Sequence, residues 1–301
     1  MKSPEPATAQ PFDITFVGHV CYDELTPFGG TTVVRPGSAV LCGAAVAARI
    51  GMRTACVTRM NPRNEDVLRS LRDLGVQVFL TPTDVTTISQ VVHRSENVDE
   101  RDISVKQDAG YFTLRDIPPK LATRVLHLAG VSNHEFTLEF VRDLRQAGFS
   151  LSLDMQSFVR VIGPDRRIAF SDVPEKQDLA ALLDFVKLDV VEAELLTGTR
   201  DLAKAARQFA AWGAREVLLT EQSGATLLAE GRMYRAPFTN RTQIGRTGRG
   251  DTTMSAYLCR RQTHPPLAAL QFAAALVSIK MEQPGPFTGT LRDVEERLAR
   301  G

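Results

Sequence analysis

Between Thr247 and Thr252 the chain reads Thr-Gly-Arg-Gly-Asp-Thr, a glycine-framed turn that ends in a carboxylate and runs into the helix-spaced apolar residues Met254, Tyr257 and Leu258. Two glycines let the backbone come close to a ligand, and the first amides of a helix have no intrahelical acceptor, so they face whatever anion lies before them. Asp251 falls at the N-cap or in the first turn, where the helix dipole favours its ionised form and leaves it able to take a proton from an alcohol. An anion-binding helix start with a base attached suggests phosphoryl transfer to a hydroxyl. Asp after Gly is also an ordinary helix cap with no chemistry. Arg249-Gly250-Asp251 spells a cell-adhesion tripeptide too, but so short a match arises often by chance.

The elements around this turn alternate. Residues 13–20 read as a strand, 40–50 as a helix of small residues, 54–58 as a strand, 65–74 as a helix with Val67, Leu68, Leu71 and Leu74 on one face, and 76–80 as a strand. Between about 86 and 113 the rhythm gives way to short strands and a hairpin, an insertion without helices. It resumes with strand 124–129, helix 135–147, strands 149–154 and 185–189, helix 202–212 and strand 216–220. Units of this length pack as a mostly parallel sheet covered on both faces, with ligands bound beyond the carboxyl ends of the strands. Leu267, Leu270, Ala274, Val277 and Met281 form a core stripe on a last long helix, and Pro284-Gly285-Pro286 ends it. One domain over residues 12–301 follows, with a small β appendage and a short disordered leader at 1–11.

Lys+Arg 36 against Asp+Glu 35 leaves a net charge of +1. No global basic field exists to hold a nucleic acid or an anionic membrane. The four cysteines, Cys21, Cys42, Cys56 and Cys259, are widely spaced, which argues against a zinc site or a disulfide framework. With no apolar signal segment and no run near the roughly 20 residues of a membrane span, the expected location is cytoplasmic.

Several separated motifs, in order, make the chain resemble the ribokinase/PfkB family of carbohydrate kinases over essentially its whole length. The family's Asp-Thr-x-Gly-Ala-Gly-Asp signature is similar to residues 245–251, Gly-Arg-Thr-Gly-Arg-Gly-Asp. The resemblance implies that Asp251 is the catalytic base and that Gly248, Arg249 and Gly250 form the anion hole, with the Arg249 guanidinium able to help neutralise a transferring phosphate. Gly245 stands where the signature has its first aspartate. The family's Asn-x-x-Glu motif resembles Asp189-Val190-Val191-Glu192, preceded by Lys187. Glu192 would then help organise Mg²⁺, with Lys187 and Asp189 beside the nucleotide; without the resemblance, Glu192 and Glu194 read as a solvated helix start. The strand and turn at 217–225 resemble the segment bordering ATP, which makes Thr220 and Gly224 nucleotide-edge candidates, although the same residues read as a plain hairpin turn. Gly285 joins them as a modest candidate from the loop after the last long helix, where the family also holds a monovalent cation such as K⁺.

Near the N-terminus, residues 17–23 resemble the family's first strand, and Asp23 is the leading ligand for substrate hydroxyls. The Gly-Gly-x-x-x-Asn motif falls on Gly37, Ser38 and Cys42, which departs from the pattern at the second and last positions and removes an amide from the acceptor pocket. The implied fold is α/β, a ribokinase-like three-layer αβα sandwich with a mostly parallel central sheet and a small β-sheet lid from about 22–34 and 86–113. The lid would exclude water from the transfer and could pair two copies as a homodimer.

The expected activity is transfer of the γ-phosphoryl of MgATP to a hydroxyl of a small sugar or polyol. The Gly18-His19 start with Asp23, and residues 284–287, look somewhat like the myo-inositol kinase branch. A nucleoside kinase of the same fold is the alternative; a base would need a shelf, for which Phe16, Tyr22, Phe28, Tyr111 and Phe112 are candidates. A catalytically silent binding protein descended from a kinase is the second alternative, motivated by the departures at Ser38, Cys42, Asp189, Glu221 and Gly245. A dinucleotide-binding dehydrogenase fits poorly, because the glycines at 245, 248 and 250 do not match G-x-G-x-x-G and lie far from the first βα unit. His19, His93 and His134 read as structural or solvent-facing and carry no assigned role.

Overall fold

Strands such as residues 14–17 and 54–58 are apolar almost without interruption, and a strand of that kind needs cover on both faces. The computed structural model, which describes residues 10–96 and 100–300, provides it. A nine-stranded sheet runs in the order Arg232–Pro237, Gly224–Ala229, Glu216–Thr220, Phe185–Asp189, Leu151–Asp154, Thr123–Leu128, Phe12–Val17, Thr54–Met60 and Gln77–Pro82. The strands from Glu216–Thr220 to Gln77–Pro82 are parallel, and a hairpin adds the other two antiparallel at one edge. Ile14 and Phe16 point to a layer holding helices Ala39–Arg49, Arg249–Arg261, Pro266–Met281 and Leu291–Ala299. Val17 and Val57 point the other way, to helices Leu138–Gln146, Lys176–Leu182, Val190–Thr197 and Leu202–Ala211. The result is the expected three-layer αβα arrangement.

A second sheet of four strands, in the order Val33–Gly37, Cys21–Thr26, Ile88–His93 and Arg101–Gln107, stands apart from the large one. Its strands fall within or beside the two segments expected to form a lid, and Phe28, Val33 and Val34 are exposed on it. Residues 97–99 of the expected lid and residues 1–9 of the expected leader lie outside the described residues. A two-stranded hairpin, Arg160–Ile162 with Ile168–Phe170, touches this sheet through a bridge between Ser104 and Arg167. No helix among the described residues is long and apolar enough to cross a membrane.

Two expected helices differ from what forms. The segment expected as helix 65–74 is mainly the 3₁₀ run Pro62–Leu68, followed by one short helix, Arg69–Asp73. Pro62 and the Asn61 side chain, which accepts from the Arg63 amide, start the turn early, and Asn64 at φ −105° and ψ 17° breaks the α-helical ladder. The helix expected to begin at Glu135 begins at Leu138, capped by Thr137, whose hydroxyl accepts from the Phe140 amide. Glu135 is fully buried instead, and its carboxylate takes the amides of His19 at 2.7 Å, Val131 and Ser132. A loop whose buried amides lack ladder partners needs such an acceptor.

Candidate active site

Helix Arg249–Arg261 starts at Gly248, whose φ of 80° is left-handed and therefore suits glycine. No side chain caps this end, and the Thr252 amide makes the first intrahelical bond, to the Gly248 carbonyl. The Arg249 amide is already used on the Arg246 carbonyl, so the anion-binding amides of the expected hole narrow toward Gly250. Asp251 is third in the helix, inside the first turn rather than at the cap. One of its carboxylate oxygens accepts from Gln156 Nε2 at 3.3 Å, and the same amide group donates to the Gly130 carbonyl at 3.0 Å. Gln156 thus ties the Asp251 carboxylate to the loop after strand Thr123–Leu128.

Beneath the turn stands Lys187, on strand Phe185–Asp189 and 4% exposed. Its ammonium lies 3.2 Å from Asp154 and 3.5 Å from Glu192. A Cβ on Gly250 would come within 2.8 Å of Lys187 Cε and 2.9 Å of its Nζ, so the missing side chain is what lets the amine reach the helix start. Burial works against the ammonium, but the carboxylates of Asp154, Glu192 and Asp189 more than offset it and raise its pKa. Burial lifts the Asp154 carboxyl to about 6 against the pull of Lys187, and lifts Glu192 likewise to about 7. A charged lysine shared by two reluctant acids results.

Asp189 and Glu192 form a reciprocal cap on helix Val190–Thr197. The Asp189 carboxylate accepts from the amides of Val191 and Glu192, and the Glu192 carboxylate accepts from the Asp189 amide at 2.7 Å. Aspartate serves this cap as well as asparagine does. Glu192 Oε1, which is buried, has no hydrogen-bond partner, and buried Asp154 Oδ2 has only the Lys187 ammonium at 3.2 Å. Two such oxygens fit Mg²⁺, which takes hard oxygen ligands and keeps several waters. No group of three or more acidic, histidine or cysteine side chains that could hold a metal occurs among the described residues, so the remaining ligands would come from water and the phosphoryl donor.

The N-terminal candidates arrive from the small sheet. A Cβ on Gly37 would sit 1.9 Å from an Asp23 carboxylate oxygen, so the paired strands Cys21–Thr26 and Val33–Gly37 bring these two residues together across the ladder. Burial raises the Asp23 pKa to about 6, opposed by the Cys21 thiol, Arg35 and Arg160. Ser38 caps helix Ala39–Arg49 by accepting from the Leu41 amide at 3.0 Å. One turn on, Cys42 abuts Gly248, where an added Cβ would meet its sulfur at 2.8 Å. Burial and then the Asp251 charge push that thiol up to about 12, so it stays neutral. Asp23, Gly37, Cys42, Gly248, Gly250, Asp251, Lys187 and Glu192 therefore belong to one cluster.

The remaining candidates lie at its border. Thr220 is buried at the end of its strand, and Gly224 pairs tightly in the edge hairpin, where a Cβ would strike the Ala236 carbonyl at 2.5 Å. Gly285, at φ 84°, is in an exposed turn where an added Cβ would meet nothing within 4 Å. His19 is structural, bonded to Thr87 at 2.9 Å and Gly110 at 3.0 Å. Sequence reasoning missed Asp154, Gln156, Arg160 and Lys280. For Asp154 a signal existed, since it ends a strand on the carboxyl edge. The charge of Arg160 pulls down on the pKa of both Asp23 and Glu192, against the larger rise that burial causes.

No family model matches the chain. It is similar to a pyrophosphate-dependent kinase of the ribokinase family in complex with sulfate, with a TM-score of 0.86 and 32% identity over 94% of this chain and 99% of that one. A pyrophosphate-dependent kinase of the same family, complexed with a pyrophosphate analogue and myo-inositol, has a TM-score of 0.85 at 31% identity over 94% and 99% of the two chains. The cytidine kinase of Thermococcus kodakarensis is 26% identical over 264 residues, 85% of this chain and 90% of the relative. The ribokinase of Arabidopsis thaliana, complexed with ribose and ATP, shares the fold, with a TM-score of 0.76 at 18% identity over 96% and 99%. With two ribokinase-family kinases matching 94% of this chain and 99% of their own at 32% and 31% identity, the chain belongs to the ribokinase family, kinases that phosphorylate hydroxyl groups.

Proposed function

We propose that this kinase transfers a phosphoryl group from pyrophosphate to one hydroxyl of a cyclic polyol, with Asp251 as the base. The observation that carries the reading is the Lys187 ammonium seated against Gly250, between Asp154 and Glu192. A donor without a nucleoside must be held through its phosphates, and an open helix start with an ammonium beneath it suits that task. The similarity to pyrophosphate-dependent kinases at 31% and 32% identity supports pyrophosphate over the ATP expected from sequence.

In this mechanism the acceptor lies between Asp23 and Asp251. The Asp23 carboxylate orients neighbouring hydroxyls, and the loss of an amide at Cys42 leaves the pocket wall less polar there, with one hydrogen-bonding group fewer. Gln156 holds the Asp251 carboxylate toward the hydroxyl whose proton it accepts. Lys187 and the Gly250 amide stabilise charge on the transferring group. A bound Mg²⁺ would neutralise donor charge, held by Glu192 and Asp154. The small sheet carrying Asp23 covers the site from water as a lid.

A nucleoside acceptor is the second reading, supported by the cytidine kinase relative. Two of the five aromatic residues proposed as a base shelf do not serve it. Phe16 is in the core, and Phe112 is buried against Phe136, Phe140 and His19. The test is release of phosphate from pyrophosphate, and of ADP from ATP, against cyclitols, sugars and nucleosides, with Asp251→Asn alongside. Turnover of a polyol with pyrophosphate, reduced about 10²- to 10⁴-fold in the variant while donor binding persists, is expected. Turnover with ATP and a nucleoside alone would refute the reading.

A further inference from the structure

Upstream of Gly248 the backbone doubles back, so that the carbonyl oxygens of Gly245 and Thr247 turn toward one point. That point is occupied by the ammonium of Lys280, which donates to both. Lys280 comes from the last turn of helix Pro266–Met281 and is 2% exposed. Burial lowers its pKa, and the Cys42 and Asp251 side chains act in the opposite direction. A buried ammonium is costly unless partnered, and converging backbone carbonyls are the ligands that weakly hydrated monovalent cations take in place of water. The K⁺ implied by the family resemblance does not fit here, because an amine already fills the carbonyl cage.

The departure at Gly245 belongs to the same arrangement. Its amide donates to the Met281 carbonyl at 2.8 Å. A Cβ there would lie 1.8 Å from the Gln283 carbonyl oxygen and 2.7 Å from the Lys280 carbonyl oxygen. The aspartate of the family signature therefore has no room, and the loop is drawn onto the end of the helix that supplies the lysine. Replacing an acid by glycine while adding a fixed cation leaves the approach to Gly250 more positive than the signature alone would make it.

We propose that Lys280 is a positioning residue that takes the place of a monovalent cation. It ties residues 245–247 to helix Pro266–Met281 and so fixes the turn that presents Gly248 to Asp251, making the enzyme independent of K⁺. The kinetic arm of the test rests on the function proposed above, whereas the binding and melting arms do not.

Wild type and Lys280→Ala are compared in KCl and in choline chloride at equal ionic strength, by melting temperature, by titration calorimetry with K⁺, and by turnover. Wild type should bind no K⁺ and melt alike in both salts. Lys280→Ala should lose up to about a hundredfold in kcat with acceptor KM little changed, the lower end of what the loss of one direct electrostatic donor costs. K⁺, and not choline, should raise its melting temperature and restore most of the rate, because a ligand bound only by the folded state stabilises it. Lys280→Met, which keeps the volume but closes the cage, should lose rate without rescue. Stoichiometric K⁺ binding or K⁺ activation in wild type would overturn the proposal even if no variant folds. A folded Lys280→Ala that keeps full turnover, or loses it beyond rescue by K⁺, would overturn it as well. If no donor and acceptor pair supports turnover, the proposed function fails, and the cage then stands or falls on whether K⁺ alone raises the melting temperature of Lys280→Ala.

Discussion

Replacing Lys187 by methionine keeps the buried volume and removes the charge, and the structure sets the size of the effect. At 3.2 Å and 3.5 Å from Asp154 and Glu192, each Coulomb attraction is about 5 kcal/mol at an effective dielectric of 20. Most of that offsets the cost of burying three ionised groups. Removing one partner strands the other two, a loss of roughly 3–5 kcal/mol, or a fall in melting temperature of roughly 6–20 °C at two to four degrees per kcal/mol. The pH dependence identifies the cause. Burial has raised the folded pKa of Asp154 to about 6 and of Glu192 to about 7, above their ordinary values of 3.8 and 4.5. A carboxyl raised in this way favours the fold while protonated and loses that contribution as pH rises through the folded value. Without Lys187 both values climb further, so Lys187→Met should approach wild-type stability near pH 5 and fall well below it by pH 8. Lys187 itself has a raised pKa and stays protonated across this range. Thermal and urea denaturation of both proteins at pH 5, 6, 7 and 8 measures the gap. A gap under about 1 kcal/mol at pH 8, small beside the loss expected for a stranded buried pair, or one that does not change with pH, would refute the assignment of Lys187 as the counter-charge of this pair.

Other positions give sharper readings of the chemistry. Asp23 has its pKa raised to about 6, so the acceptor KM of wild type should rise as pH falls through that value and Asp23 protonates; Asp23→Asn should have a high KM at every pH, and a pH-independent wild-type KM between 5 and 8 would count against Asp23 as a hydroxyl ligand. Gln156→Leu frees the Asp251 carboxylate, and kcat should fall about tenfold, a loss on the scale of one hydrogen bond to a charged group, with donor affinity unchanged in a binding titration.

Much of the fold was legible because it rests on local pattern. Apolar runs of strand length, alternating with amphipathic stretches of helix length, announce a covered parallel sheet whatever the partners. The same holds for Gly248 before Asp251, since a left-handed cap and a first-turn acid are one-helix properties. The reciprocal cap of Asp189 and Glu192 is equally local, although its neighbours in space were not.

What the tertiary structure decided is which distant residues meet. Gln156 reaches Asp251 across 95 residues of chain, and Lys280 reaches Gly245 and Thr247 across more than 30. No periodicity records such a meeting, because it depends on strand order and on which helix lies over which loop. Glu135 shows the same limit from the other side. Its spacing suits a helix start, yet the free amides of His19, Val131 and Ser132 drew its carboxylate inward, and burial of unpaired backbone overrode local propensity. Composition and spacing settle which elements form and which residue types could do chemistry, whereas the packing of the sheet edge decides which of them share a site, since electrostatics and hydrogen bonding act over a few ångströms of space rather than along the chain.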